Sequence, residues 1–194
     1  MLAEVRRSRS AVLDTVRGIR PVGSGVEPIP GAQARSGVRV AARILLVDPA
    51  QRLLLFQGFD PHMPGESFWF TAGGGLEPGE ELLAGAVREL REETGMQVPP
   101  ERLVGPVWLR RVHFSFEGVE YDCDEWFFLA ALTDAAVVDT AGFTDLENRT
   151  VRGHRWWTAD DLRSATETVY PLQLAELLPG LLAGGWDGQL RLID

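Results

Sequence analysis

The chain has 194 residues, 45% apolar and 24% charged, with a formal net charge of −9. That balance fits one ordinary globular domain with room for an appendage, and no apolar run approaches the length of a bilayer span. All nineteen basic residues are Arg, which excludes lysine-based chemistry. The single Cys123 excludes an internal disulfide and a four-cysteine zinc site, and it fits a packing role in a reducing, cytoplasmic setting.

The charge is uneven. Residues 1–37 carry six Arg against three acids, while the rest carries thirteen Arg against twenty-five acids, a balance of −12. So acidic a body is a poor nonspecific binder of nucleic acid, which needs basic residues to displace counterions. A small anionic ligand remains compatible if metal ions bridge it to the protein. Nucleic acid and membrane are therefore not expected partners, and both monomer and homodimer stay open.

Residues 1–36 read as a flexible N-terminal extension. Leu2, Val5, Val12, Leu13 and Val16 hint at a short helix, and Pro21, Gly23, Gly25, Pro28, Pro30 and Gly31 form a linker. Residues 37–194 read as the folded domain. Apolar, β-favouring runs over 38–47 and 52–57 flank a turn at 48–51. Residues 66–71, with Phe68, Trp69 and Phe70, predict a strand running into a glycine loop. A helix follows over 80–94, bounded by Pro78-Gly79 and by Gly95. Runs over 107–116 and 119–132 flank Glu117-Gly118, a hairpin signal. A short strand at 155–157 precedes Thr158, a helix N-cap. Pro171 opens a closing helix with Leu174, Leu177 and Leu178, interrupted at Pro179-Gly180. Strands on both sides of one central helix, with more helices at the end, imply an α/β fold: a mixed sheet with helices on both faces.

The helix over 80–94 carries the chemistry. Leu83, Ala86, Val87, Leu90 and Thr94 recur at helical spacing as a buried stripe. Glu89, Glu92 and Glu93 lie at i, i+3 and i+4, so their carboxylates share a patch elsewhere on the helix and repel one another. A hard divalent cation removes that repulsion, and carboxylate oxygens are the ligands Mg²⁺ or Mn²⁺ prefers. Glu-rich helix faces are usually just solvated. The neighbours of these three make the difference: Gly73, Gly74 and Gly75 precede the helix, and Glu80 and Arg88 complete a pattern.

That pattern is Gly74, five residues, Glu80, seven residues, Arg88-Glu89-Leu90, one residue, Glu92-Glu93, one residue, Gly95-Met96. It resembles the Nudix box at every defining position, and the resemblance covers roughly residues 38–165. It implies an α/β/α sandwich and Mg²⁺-dependent hydrolysis of a nucleoside diphosphate linked to another moiety. By the same resemblance Glu89, Glu92 and Glu93 hold metal, Arg88 and Glu80 form an orienting ion pair, and the amides of Gly73, Gly74 and Gly75 approach phosphate. One departure is Ala72-Gly73-Gly74 where the family commonly has Pro-Gly-Gly; losing that φ restraint loosens the loop only modestly. The family draws its general base from different places. Glu92 and Glu93 are candidates, as are Glu147, in the loop before the strand at 155–157, and Glu125, with Glu147 favoured over Glu125 for its reach.

Trp69, Phe114, Phe116, Tyr121 and Trp126 offer a base-stacking clamp, though aromatics alternating along strands are mostly core. His62, His113 and His154 show no metal-ligand spacing. The substrate stays open: the Pro of the ADP-ribose subgroup is replaced by Arg111. The competing reading is a non-catalytic Nudix-fold module that senses a nucleotide ligand, which the persistence of all three helix glutamates disfavours.

Overall fold

The computed structural model describes residues 37–194; the expected N-terminal extension, 1–36, lies outside the described residues. In chain order the elements are β1 (Arg39–Val47), β2 (Leu53–Phe59), β3 (Ser67–Gly75), α1 (Leu82–Thr94), a 3₁₀ turn (Pro100–Arg102), β4 (Leu103–Phe116), β5 (Val119–Ala131), α2 (Asp145–Thr150), β6 (Val151–Trp157), α3 (Ala159–Arg163), β7 (Thr168–Val169), α4 (Leu174–Gly184) and β8 (Arg191–Ile193).

The strands form one mixed sheet in the order β6-β2-β3-β1-β5-β4-β8, with β7 added alongside β3. β1 runs parallel to β5, and β3 pairs antiparallel with β1 and β2 and parallel with β7. β3 changes partner along its length: Ser67–Thr71 pair with β2, and Ala72–Gly75 pair with β1. Its last three residues, the glycines, are therefore strand rather than loop.

Alternation along β1 and β2 supplies two cores. Leu45, Val47, Leu53 and Leu55 face α3 and α4, packing with Leu162, Leu174, Leu178, Leu181 and Leu182. Ala42, Ile44, Leu46, Leu54 and Phe56 face α1, packing with Ala86 and Leu90. With helices on both faces, the layers are those of the expected α/β/α sandwich.

Local rules account for most boundaries. Asp48 Oδ1 accepts the amides of Ala50 and Arg52, each at 2.9 Å, which closes the β1–β2 turn. Glu117 and Gly118 have φ of 50° and 73°, as a two-residue hairpin with both central residues left-handed requires. Thr158 caps α3 in a reciprocal box with Asp161. Four expectations shift. β6 begins at Val151 rather than 155, and Glu147, expected in a loop before that strand, lies in α2. α1 begins at Leu82 rather than residue 80, because Glu80 is held outside the helix by Arg88. β4 begins at Leu103 rather than 107: a register shift between Val104 and Trp108 accommodates Gly105-Pro106, which reads in sequence as a break. α4 continues through Pro179, its second half anchored by buried Leu181 and Leu182.

Candidate active site

Helix α1 ends where Gly95, in the left-handed conformation, turns its amide to Arg91 O. Its inward side buries Ala86, Leu90 and Thr94, but also Glu89 and Glu93, which are only 8% and 4% exposed. The sheet beneath makes room because it has no side chains there. A Cβ on Gly74 would lie 2.8 Å from Glu89 Oε2. Gly73, at φ 115°, donates its amide to Glu93 Oε2 at 2.6 Å, and its carbonyl accepts from the Arg43 guanidinium. The Gly73 amide, expected from the resemblance to approach phosphate, is thus engaged by Glu93, and its carbonyl by Arg43.

Arg88 organises the acids from the side. Its Nε and Nη2 grip Glu80 at 2.8 Å each, Nη1 reaches Glu89 at 2.8 Å and Glu92 at 3.0 Å, and Nη2 also donates to Gly75 O at 3.1 Å. The forked guanidinium suits this divided task as an ammonium would not. Hydrogen bonding to Arg88 holds the Glu80 carboxyl down at about 2.

Glu147 arrives from the far side of the chain. The connection leaving β5 is tied to the end of α1, with the Asp139 amide donating to Thr94 O at 2.9 Å. Gly142 lies so close to Glu92 O that a Cβ there would approach to 2.3 Å. Thr144 then caps α2, and Glu147 Oε2 accepts from both the Thr144 amide and its hydroxyl at 2.7 Å. Glu89, Glu93 and Glu147 thus bring one carboxylate oxygen each within 4.8 Å of one another. Glu92 stands outside this trio, on Arg88 and 40% exposed at its side chain.

The electrostatics follow from burial. Desolvation pushes Glu93 up to about 8, with Glu89 and Glu147 adding repulsion, against the opposing pull of the Gly73 amide and Arg43. Burial also raises Glu89, opposed by Arg88. Two buried carboxylates beside a third, part-buried one make a locally acidic site, which suits a hard divalent cation.

The family model of the NUDIX domain matches residues 37–178. The chain belongs to the NUDIX family. It is 36% identical over 80 residues to the m7GpppN-mRNA hydrolase NUDT17 of Bos taurus, covering 41% of this chain and 26% of that one. It is 30% identical over 94 residues to the 8-oxo-dGDP phosphatase NUDT18 of Homo sapiens, covering 46% and 28%. The matched region spans about a quarter of the length of these relatives. The crystal structure of a C. elegans Ap4A hydrolase binary complex matches with a TM-score of 0.52 at 19% identity, over 76% of this chain and 99% of that one, and shows the shared Nudix fold.

Other residues singled out in the sequence lie apart from the acid trio. Glu125 is buried in an ion-pair cluster: Arg43 Nε at 2.9 Å and Arg110 at 3.0 Å take its two oxygens. Burial pushes its carboxyl up, but the two guanidiniums outweigh that and leave it lowered. Both of its oxygens are thus taken up by arginines. Trp69 and Trp126 are core residues, and Trp69 meets Trp157 edge-on while its indole N–H donates to Glu167 at 2.9 Å. Phe114 and Tyr121 stack on each other on the hairpin. His113 lies between Asp122 and Glu120, and His154 meets Phe56 edge-on. Among the described residues no helix is long and apolar enough to cross a membrane. Sequence reasoning missed Arg43 as a site residue, although a lone Arg within the apolar run of β1 was a readable signal.

Proposed function

We propose that this protein is a Mg²⁺- or Mn²⁺-dependent hydrolase that splits the diphosphate bond of a nucleoside diphosphate derivative, with Glu89, Glu93 and Glu147 holding the cation. The observation that carries this reading is the convergence of those three carboxylates within 4.8 Å above a segment of bare glycine backbone. In this reading Glu92, expected as a ligand, serves as a partner of Arg88.

When bound, the cation would neutralise phosphoryl oxygens and acidify water in its shell. The chain's own groups do the rest. The Gly73 amide fixes the orientation of Glu93, and Arg88 fixes Glu89, so both carboxylates are set before substrate arrives. Glu147 is the least buried of the trio and sits on a separate helix. It accepts the proton of the attacking water as the new P–O bond forms and the bridging P–O bond breaks. The nucleotide class is supported by the names of similar proteins, which act on m7GpppN-mRNA and 8-oxo-dGDP. A reducing, cytoplasmic setting is supported by the single, buried Cys123.

The test is a panel of nucleoside diphosphate derivatives incubated with Mg²⁺ and read by phosphate release after a coupled phosphatase. Turnover of at least one compound, lost by orders of magnitude in Glu93→Gln, supports the reading. Tight binding with no turnover of any compound refutes it in favour of a sensor.

A further inference from the structure

The two sides of the glycine segment are occupied by opposite charges. Consecutive strand residues point to opposite faces. The side of Gly74 faces the Glu89 carboxylate, whereas a Cβ on Gly75 would lie 2.9 Å from both Nε and Nη2 of Arg39. Arg39 therefore lies against the end of β3, on the face opposite the one that meets Glu89.

Arg39 is also held in place. Its guanidinium sits over the Tyr121 ring at 5.6 Å from the centroid. Tyr121 in turn stacks on Phe114 with centroids 5.4 Å apart and an interplanar angle of 24°. The register that sets Arg39 opposite Cys123 brings it to this hairpin platform. Arg43 and Arg110 on the same sheet face are consumed by Glu125. No carboxylate among the described residues pairs with Arg39, so it is the cation left to meet a ligand. Two guanidiniums share the one Glu125 carboxylate and Arg39 adds a third positive charge on the same face, although residues 38–194 sum to −12.

We propose that Arg39, seated on Tyr121 beside Gly75, binds a third phosphate, and that the preferred substrates carry three or more linked phosphates. The inference rests on the metal-dependent reading of Glu89, Glu93 and Glu147. A diphosphate held at those acids ends on their side of the strand and leaves Arg39 unused. One further phosphate, passing Gly75, which itself has no side chain, reaches Arg39. The planar fork of an arginine matches phosphate oxygens, and stacking on Tyr121 reduces the freedom lost on binding.

The test is titration calorimetry at fixed free Mg²⁺, with inorganic pyrophosphate and inorganic tripolyphosphate as the probes. Tripolyphosphate should bind the wild-type protein at least tenfold more tightly than pyrophosphate. Arg39→Gln should remove most of that difference, and Arg39→Lys, which keeps the charge but not the fork, should restore part of it. The ratio of kcat/KM for a nucleoside triphosphate derivative to that for its diphosphate counterpart should fall about tenfold in Arg39→Gln. Arg39 is exposed, and an unchanged melting curve checks that the variants fold. Equal affinity for the two probes, or a preference that Arg39→Gln leaves intact, overturns the inference and leaves the proposed function standing. Failure of both probes to bind in the presence of Mg²⁺ overturns the proposed function and this inference with it.

Discussion

The backbone amide of Gly73 donates to the Glu93 carboxylate at 2.6 Å, across 20 residues of chain. This bond joins the end of β3 to the last turn of α1 and fixes where a buried acid points. Glu93 has a polar partner, yet burial still holds it protonated up to about 8, far above the 4.5 of an ordinary glutamate.

A pH dependence of stability follows. Between 4.5 and about 8 the folded protein keeps a proton on Glu93 that the unfolded chain has released. The folded state binds more protons, so its stability falls as pH rises through that window. The contribution is complete below 4.5 and gone above about 8. Raised Glu89 acts in the same direction. Without divalent cation, Tm should fall by about 5 °C or more from pH 5 to pH 8.5, and Glu93→Gln should flatten the slope. Thermal melts across that range check this; an equal slope in the variant would contradict it.

Gly74→Ala should damage the site without harming the fold. The new Cβ would meet Glu89 Oε2 at 2.8 Å, and Gly74 does not need the left-handed conformation. Displacing one carboxylate should weaken Mg²⁺ binding about tenfold or more, while Tm changes little. Calorimetric titration beside a melting curve separates the two effects.

Much of this site is legible in the chain. The i, i+3, i+4 spacing of Glu89, Glu92 and Glu93, the stop at Gly95 and the cap at Thr158 are local signals, and they hold in the fold. What periodicity hides is which acids are buried. Acidic residues on a helix read as its solvent side, and only the glycines of β3 make an inward carboxylate tolerable. Sequence spacing also hides that Glu147 completes the trio, because the path from Asp139 to Thr144 follows single hydrogen bonds and a close approach at Gly142. The extension of β3 through Gly75 was hidden too, since three glycines read as a loop until β1 pairs with them.

Arg88→Lys should cost more than a charge-conserving change usually does. Arg88 makes five donations to four residues, including the two-pronged grip on Glu80. An ammonium cannot span them. A loss of about 2 kcal/mol in stability is expected, and turnover should fall at least tenfold as Glu89 loses its orientation. Urea unfolding and steady-state rates measure each part.

Glu125→Ala should be a stability variant and not a metal-site variant. Removing the carboxylate leaves Arg43 and Arg110 facing each other with no anion between them. Breaking a buried pair by deleting one partner costs about 3–5 kcal/mol, so Tm should drop by about 10 °C. Below the melting range the protein should still bind Mg²⁺ within a few-fold of wild type. Loss of metal binding in a folded Glu125→Ala protein would place Glu125 in the site.

The central claim is that Glu89, Glu93 and Glu147 hold one divalent cation, and Mn²⁺ binding followed by electron paramagnetic resonance tests it most directly. The prediction is a saturable site in the wild-type protein that Glu93→Gln and Glu147→Gln each weaken at least tenfold, with Glu92→Gln having the smaller effect. Binding that is weakened by Glu92→Gln but unchanged in Glu147→Gln would contradict the account and return the site to the helix alone.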